Sequence, residues 1–179
     1  MFANFSNQNN INTLKHILML FFLCLNLNSC NTIKQFTIEK NQGENIINGR
    51  VSKSDFMSSK VFSWYGQEYK NYVVNPDLIA QLKLKSTNLK ILIFGGTWCD
   101  ETQRELPRFI KIIDEIGIQN SSIEMYMLDR KKQCNYFNVS IFNLTNVPTF
   151  IFFQNGIEIG RIIESPKKSL EEDMIEIFE

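Results

Sequence analysis

The groups able to do covalent chemistry in this chain are few, and their positions narrow the options before any fold is considered. Among 179 residues there is one histidine, His16, and four cysteines, Cys24, Cys30, Cys99 and Cys134. His16 precedes an apolar run, so a processed chain would hold no histidine; Ser/His/Asp and Cys/His catalysis and every histidine-containing zinc site are excluded. Cys24 lies inside that run and Cys30 at its end, which leaves Cys99 and Cys134 for the folded part. Two separated thiols are too few for a disulfide scaffold or a structural zinc site, and no metal or cofactor is expected. The chemistry on offer is therefore that of a single sulfur. Cys99 follows a Gly95-Gly96-Thr97-Trp98 turn and opens a helix-patterned segment. A helix N-terminus favours the thiolate, the reactive form, and the hydroxyl of Thr102 one turn on can donate to the sulfur. Asp100 and Glu101 oppose this, although acidic residues in a first turn also suit the helix dipole in a purely structural role.

The elements that must position Cys99 are legible in the apolar pattern. Leu89-Lys90-Ile91-Leu92-Ile93-Phe94, closed by Gly95-Gly96, reads as a strand buried on both faces. From Glu101 to Ile116 the residues Leu106, Phe109, Ile110, Ile112, Ile113 and Ile116 recur at helical spacing, interrupted by Pro107. A further strand is expected over Ile123 to Leu128. Val147-Pro148-Thr149-Phe150-Ile151-Phe152-Phe153 and Ile157 to Ile163 flank Asn155-Gly156, a hairpin turn signal. A last helix is expected with Ser165 as N-cap and Pro166 at its first position, and an earlier one from Asn75 and Pro76 through Leu84. Between about Ile46 and Leu84, Phe62, Trp64, Tyr65, Tyr69 and Tyr72 form an aromatic stretch, best read as core packing. This pattern predicts an α/β fold with a mixed sheet flanked by helices, and function where a strand end meets a helix start. Cys134 falls just past the carboxyl end of a neighbouring strand, on the same sheet edge as Cys99. It is a candidate resolving thiol if the two α-carbons approach within roughly 7 Å, with a spectator role as the plainer reading.

Phe94-Gly95-Gly96-Thr97-Trp98-Cys99-Asp100-Glu101-Thr102, with Pro107 downstream and Val147-Pro148-Thr149 before the hairpin, resembles the thioredoxin superfamily over about Ser86 to Glu179. Within it the likeness is closest to bacterial thioredoxin-like lipoproteins. The resemblance implies that Pro148 is cis and faces the nucleophile Cys99, that the backbone at Val147 binds a peptide beside the sulfur, and that Trp98 shields one side of it. It also implies two departures. The second cysteine of the family's CxxC is replaced by Thr102, which cannot resolve a mixed disulfide, and the family's buried acid falls at Ile93. The implied activity is thiol-disulfide oxidoreduction through one nucleophilic cysteine, on cysteine-containing exported proteins or peptides, with an external thiol as reductant. A catalytically silent module that binds a peptide through the Cys99 and Pro148 surface is the alternative. A peroxide-reactive thiol fits less well, because the expected arginine and threonine placement before the cysteine is missing.

The remaining signals concern location. Lys15 and His16, the apolar run Ile17 to Leu25, and Leu27-Asn28-Ser29-Cys30 resemble a lipoprotein signal peptide over residues 1–29 with Cys30 as the lipidated residue; the run is short against the ~20 residues a bilayer requires. Residues 30–45, polar and rich in Asn, Lys and Gln, are expected to be a flexible tether, and 46–179 the thioredoxin-like domain with its core at about 86–179. The expected setting is the cell envelope, lipid-anchored to the membrane and facing the periplasm or exterior. With 19 basic against 19 acidic residues the chain builds no positive field, so a nucleic-acid partner is not expected.

Overall fold

The computed structural model describes residues 35–41, 43–136 and 138–179. The proposed signal peptide and the lipidation site Cys30 lie outside the described residues. Six strands form one mixed sheet in the order β1-β2-β4-β3-β5-β6. They are β1 (Phe36–Asn41), β2 (Glu44–Val51), β3 (Leu89–Gly95), β4 (Ile123–Met127), β5 (Thr149–Gln154) and β6 (Ile157–Ile163). Among the described residues the α-helices are α1 (Lys53–Met57), α2 (Ser63–Asn71), α3 (Pro76–Lys85), α4 (Asp100–Ile116) and α5 (Leu170–Ile177). β3 runs parallel to β4 and antiparallel to β5, and the remaining neighbours are antiparallel. The parallel pair is the one joined through α4, since such a connection must cross over the sheet.

The apolar run of β3 is continuous because the strand is covered on both faces. Ile91 and Ile93 point into the larger core with Phe109, Met125, Phe150 and Phe152. Leu92 and Phe94 point the other way, towards Tyr126, Leu128, Ile151, Val147 and Cys99. α4 supplies the helical side of the larger core. Leu106, Phe109, Ile112 and Ile113 are fully buried, and the Phe109 ring stacks on Phe150 with centroids 4.2 Å apart. Each such side chain contributes about 1.5–3 kcal/mol by leaving water. α4 starts with Cys99 as N-cap and stops at Gly117, whose φ of 84° lets its N–H close on the carbonyls of Ile113 and Asp114. Pro107 sits buried within it.

The aromatic stretch is core, as its residue types imply. Tyr65 and Phe62 are buried, Tyr65 stacks on Phe56 at 5.0 Å, and Trp64, Tyr69 and Tyr72 pack against the larger core rather than the cluster that holds Cys99. Asn155 and Gly156 both take positive φ, 54° and 81°, and turn β5 into β6.

Two expectations are corrected. Residues 36–41 and 44–45 are not tether: β1 and the start of β2 extend the sheet at its edge, in register from Phe36 with Gly49 to Asn41 with Glu44. Their polar composition reflects an exposed edge strand, which is polar for solubility rather than for disorder. The final helix begins at Leu170 with Ser169 as N-cap, not at Ser165 and Pro166. The Ser169 hydroxyl accepts from the N–H of Glu172, and Asp173 turns its carboxylate back to the N–H groups of Lys167 and Lys168. Together these satisfy donors that Ser165, following Glu164 at φ 62°, leaves to a bend.

Candidate functional site

β3 ends at Gly95 and the chain reaches α4 through Gly96-Thr97-Trp98-Cys99, closed by the Cys99 N–H donating to the Gly96 carbonyl at 3.0 Å. Gly96 is required by contact: a Cβ there would lie 2.7 Å from the indole of Trp98. Three bonds fix the turn. The Gly96 N–H donates to the Thr102 hydroxyl at 3.1 Å, the Gln103 amide to the Thr97 carbonyl at 2.8 Å, and the Trp98 indole N–H to the Leu128 carbonyl at 2.9 Å. Strand β2 grips the turn from outside, because the buried Thr97 hydroxyl donates to the Asn45 carbonyl and accepts from the Ile47 N–H, both at 3.1 Å. The Arg130 guanidinium lies 5.3 Å above the Trp98 ring and is paired with Glu44 of the same strand.

The Val147-Pro148 bond is cis, and the chain at this loop faces Cys99: Sγ lies 3.1 Å from the Val147 carbonyl oxygen. A second acceptor, Oε2 of Glu101, also lies 3.1 Å from Sγ. Cys99 is a free thiol only 8% exposed. Burial pushes the thiol above its ordinary value and the Glu101 carboxylate adds to that, while backbone groups of Thr102 and Glu101 and the Thr102 hydroxyl pull it down. Burial wins, so the resting site holds a thiol. Glu101 responds in the opposite sense: accepting from the sulfur lowers its carboxyl, with Arg104 assisting.

The structure thus brings Cys99, Thr102, Trp98, Val147 and Pro148 together. Thr102 is fully buried beneath the turn, and Ile93 is fully buried among apolar neighbours. Cys134 is half-buried and packs against the same small cluster as Cys99 and Trp98, as a free thiol. Its loop is held by the buried Asn48 of β2, whose amide donates to the Gln133 carbonyl at 3.1 Å and accepts from the Asn135 N–H at 2.8 Å. The sequence sets Asp100 and Glu101 against a thiolate or, more plainly, as partners of the helix dipole, and assigns Thr97, Asn48 and Arg130 no role. The signal for Glu101 was its place two residues after an N-cap cysteine; the other three depend on β2, whose position no local pattern discloses.

Comparison with known proteins agrees with this geometry. Residues 55–176 match the family model described as thioredoxin. A thioredoxin-like protein of Acanthamoeba polyphaga mimivirus is 26% identical over 100 residues, covering 56% of this chain and 70% of that protein. Thioredoxin of Gallus gallus is 28% identical over 96 residues, covering 54% of this chain and 86% of its own length. A solved Pseudomonas aeruginosa protein of unknown function shares the fold, with a TM-score of 0.53 and 12% identity over 72% of this chain and 90% of that one. The chain belongs to the thioredoxin family, whose general function is thiol-disulfide oxidoreduction.

Proposed function

We propose that this protein exchanges disulfides through Cys99 alone, forming a mixed disulfide with cysteine-containing exported proteins or peptides that an external thiol then resolves. The observation that carries the reading is the free Cys99 sulfur at the start of α4, 3.1 Å from the carbonyl that precedes cis-Pro148, with Thr102 where a second sulfur would stand. Cys99 attacks a disulfide, one of its two sulfurs leaves as a thiol, and Cys99 becomes part of the new disulfide; an outside thiol then attacks the partner's sulfur, releasing the Cys99 thiol and ending in a disulfide with the partner. Trp98 and Val147-Pro148 form the platform beside the sulfur, and the Thr102 hydroxyl supports the thiolate. A cell-envelope setting, with the chain anchored by lipid on Cys30, is part of the same proposal. It rests on the apolar run ending in Leu27-Asn28-Ser29-Cys30, and a lipid-modified Cys30 peptide in the membrane fraction is the expected mass-spectrometric result.

The test is mixed-disulfide formation by the purified full-length protein with a model peptide disulfide, read by mass spectrometry at Cys99. An adduct that Cys99→Ser abolishes is expected, with weak insulin reduction that Thr102→Cys raises. Little change with Cys134→Ser is expected for a spectator, whereas accumulation of the adduct in that variant would make Cys134 the resolving thiol. The 8% exposure of Cys99 and its raised thiol favour a second reading, a peptide-binding module on the same surface that performs no exchange. Failure to form any adduct, with peptide binding retained in Cys99→Ser, decides for that module.

A further inference from the structure

The sulfur of Cys99 has two oxygen acceptors at 3.1 Å, Oε2 of Glu101 and the carbonyl of Val147, and a single proton to give. The carbonyl is fixed by the cis-Pro148 loop, whose Pro148 oxygen in turn accepts from the Glu164 N–H at 2.7 Å. Glu101 is the movable partner: a half-buried side chain in the first turn of α4, opposite a sulfur that is otherwise enclosed. We propose that Glu101 is a catalytic residue of this site, the carboxylate that holds the sulfur as a hydrogen-bonded thiol until a disulfide reaches it and then accepts its proton. This rests on the exchange reading for its purpose, but the coupling of the two groups is a separate physical claim.

The chemistry follows from what the site lacks. Ile93, fully buried, occupies the place where the resemblance puts a buried acid, and its side chain carries no proton. Glu101 is the ionisable side chain in hydrogen-bond contact with it. An ionised carboxylate 3.1 Å away disfavours a thiolate, since two like charges at that distance repel strongly even near a protein surface. The resting thiol is therefore protected from general oxidants, which react with thiolates. When a disulfide R–S–S–R′ docks, the thiol proton passes to Oε2 as the sulfur attacks. The S–S bond breaks as Cys99–S–S–R forms, and the leaving R′S⁻ recovers the proton from Glu101 as R′SH. The transfer to a carboxylate is uphill in the resting site and is completed as the sulfur is consumed.

Other charges around Cys99 are placed less directly. On α4, Asp100 is exposed and Arg104 faces Glu101, with its guanidinium bonded to Glu105 at 2.6 Å. From the far side Arg130 meets Trp98 rather than the sulfur, and Tyr126 and Cys134 border the same cluster. The loop before β5 sets the Val147 carbonyl oxygen against Sγ.

The experiment is the pH profile of iodoacetamide alkylation at Cys99 in the full-length protein, read at peptide level by mass spectrometry so that other cysteines do not contribute. Glu101→Gln removes the charge and offers an amide N–H; the midpoint is expected to fall by about one pH unit or more, which is roughly tenfold faster alkylation at neutral pH. Glu101→Asp, which keeps the charge on a shorter arm, is expected to return the profile most of the way to that of the native chain. Added salt is expected to lower the native midpoint and leave that of Glu101→Gln in place. A purely structural first-turn glutamate changes melting temperature but not the midpoint. Equal midpoints in the native chain and Glu101→Gln, or an upward shift, overturn the proposal. A midpoint that moves while Cys99 forms no mixed disulfide at any pH keeps the Glu101 coupling and removes the exchange reading. Mixed-disulfide formation with an unmoved midpoint does the reverse.

Discussion

Thr102 shows at the scale of one residue how a buried hydroxyl serves the turn above it. Its hydroxyl oxygen accepts the buried Gly96 N–H at 3.1 Å, which leaves the hydroxyl proton to point at Cys99, one of the influences that lower the thiol. Thr102→Val keeps the shape and deletes both. The Gly96 N–H is then buried without a partner, at a cost of about 1–3 kcal/mol in urea unfolding. With one lowering influence gone, the Cys99 thiol rises further and alkylation at neutral pH slows. A variant equal to the native chain in both measurements would show that the hydroxyl serves neither the turn nor the sulfur.

At the scale of elements, the edge hairpin is the part whose function is least expected from its composition. β2 carries Asn45 and Ile47 to Thr97, Asn48 to the 133–135 loop and Glu44 to Arg130, so one strand holds both segments that flank Cys99. β1 is secured against it at Gly49, which sits at φ 130° with space for no side chain: a Cβ would lie 2.2 Å from the Gln35 carbonyl oxygen and 2.6 Å from the Phe36 Cα. Gly49→Ala is expected to detach β1, lowering the melting temperature and accelerating amide exchange over 36–41, with a cost of at least about 1–3 kcal/mol from backbone strain. A second variant, Thr97→Val, removes both bonds between β2 and the turn, with the Ile47 N–H left unpaired. Altered Cys99 alkylation in Thr97→Val but not in Gly49→Ala is the expected pattern, since only the former touches the site.

For the molecule as a whole, phenols that join the helices contribute stability that is lost at high pH. Tyr69 donates to Asp114 at 2.7 Å, beside the Lys53–Asp114 ion pair, and Tyr72 donates to Glu171 at 2.7 Å. Burial, followed by the Asp114 hydrogen bond, pushes Tyr69 up to about 12, and burial first among the causes raises Tyr65 and Tyr72 as well. Folding therefore holds these protons more tightly than the unfolded chain does. Their contribution is fully present below the ordinary phenol value of 10.0 and is lost as pH rises through the folded values. The Cys99 thiol adds a loss of the same sign from a lower starting pH. The melting temperature is expected to decline as pH rises above about 9–10, and Tyr69→Phe to make that decline shallower. A flat melting curve through this range would contradict the buried-phenol account.

The sequence by itself determined the elements whose signals are local. The apolar run of β3, the helical spacing of α4 with Cys99 at its start, and the Asn155-Gly156 turn each follow from backbone preferences and burial within a single segment. The proximity of Val147-Pro148 to Cys99 was legible too, but only through the family resemblance, because 48 residues separate the two sides of that contact. Tertiary structure alone decided the rest. A polar stretch such as 36–45 reads equally as tether or as edge strand until a partner strand claims its backbone bonds. The choice of Ser169 over Ser165 turns on whether Asp173 folds back to the N–H groups before it. The charge state of Cys99 depends on the balance between a helix terminus, which sequence discloses, and burial beside a carboxylate, which only the packed chain creates; desolvation acts over all neighbouring atoms, and no local pattern sums them.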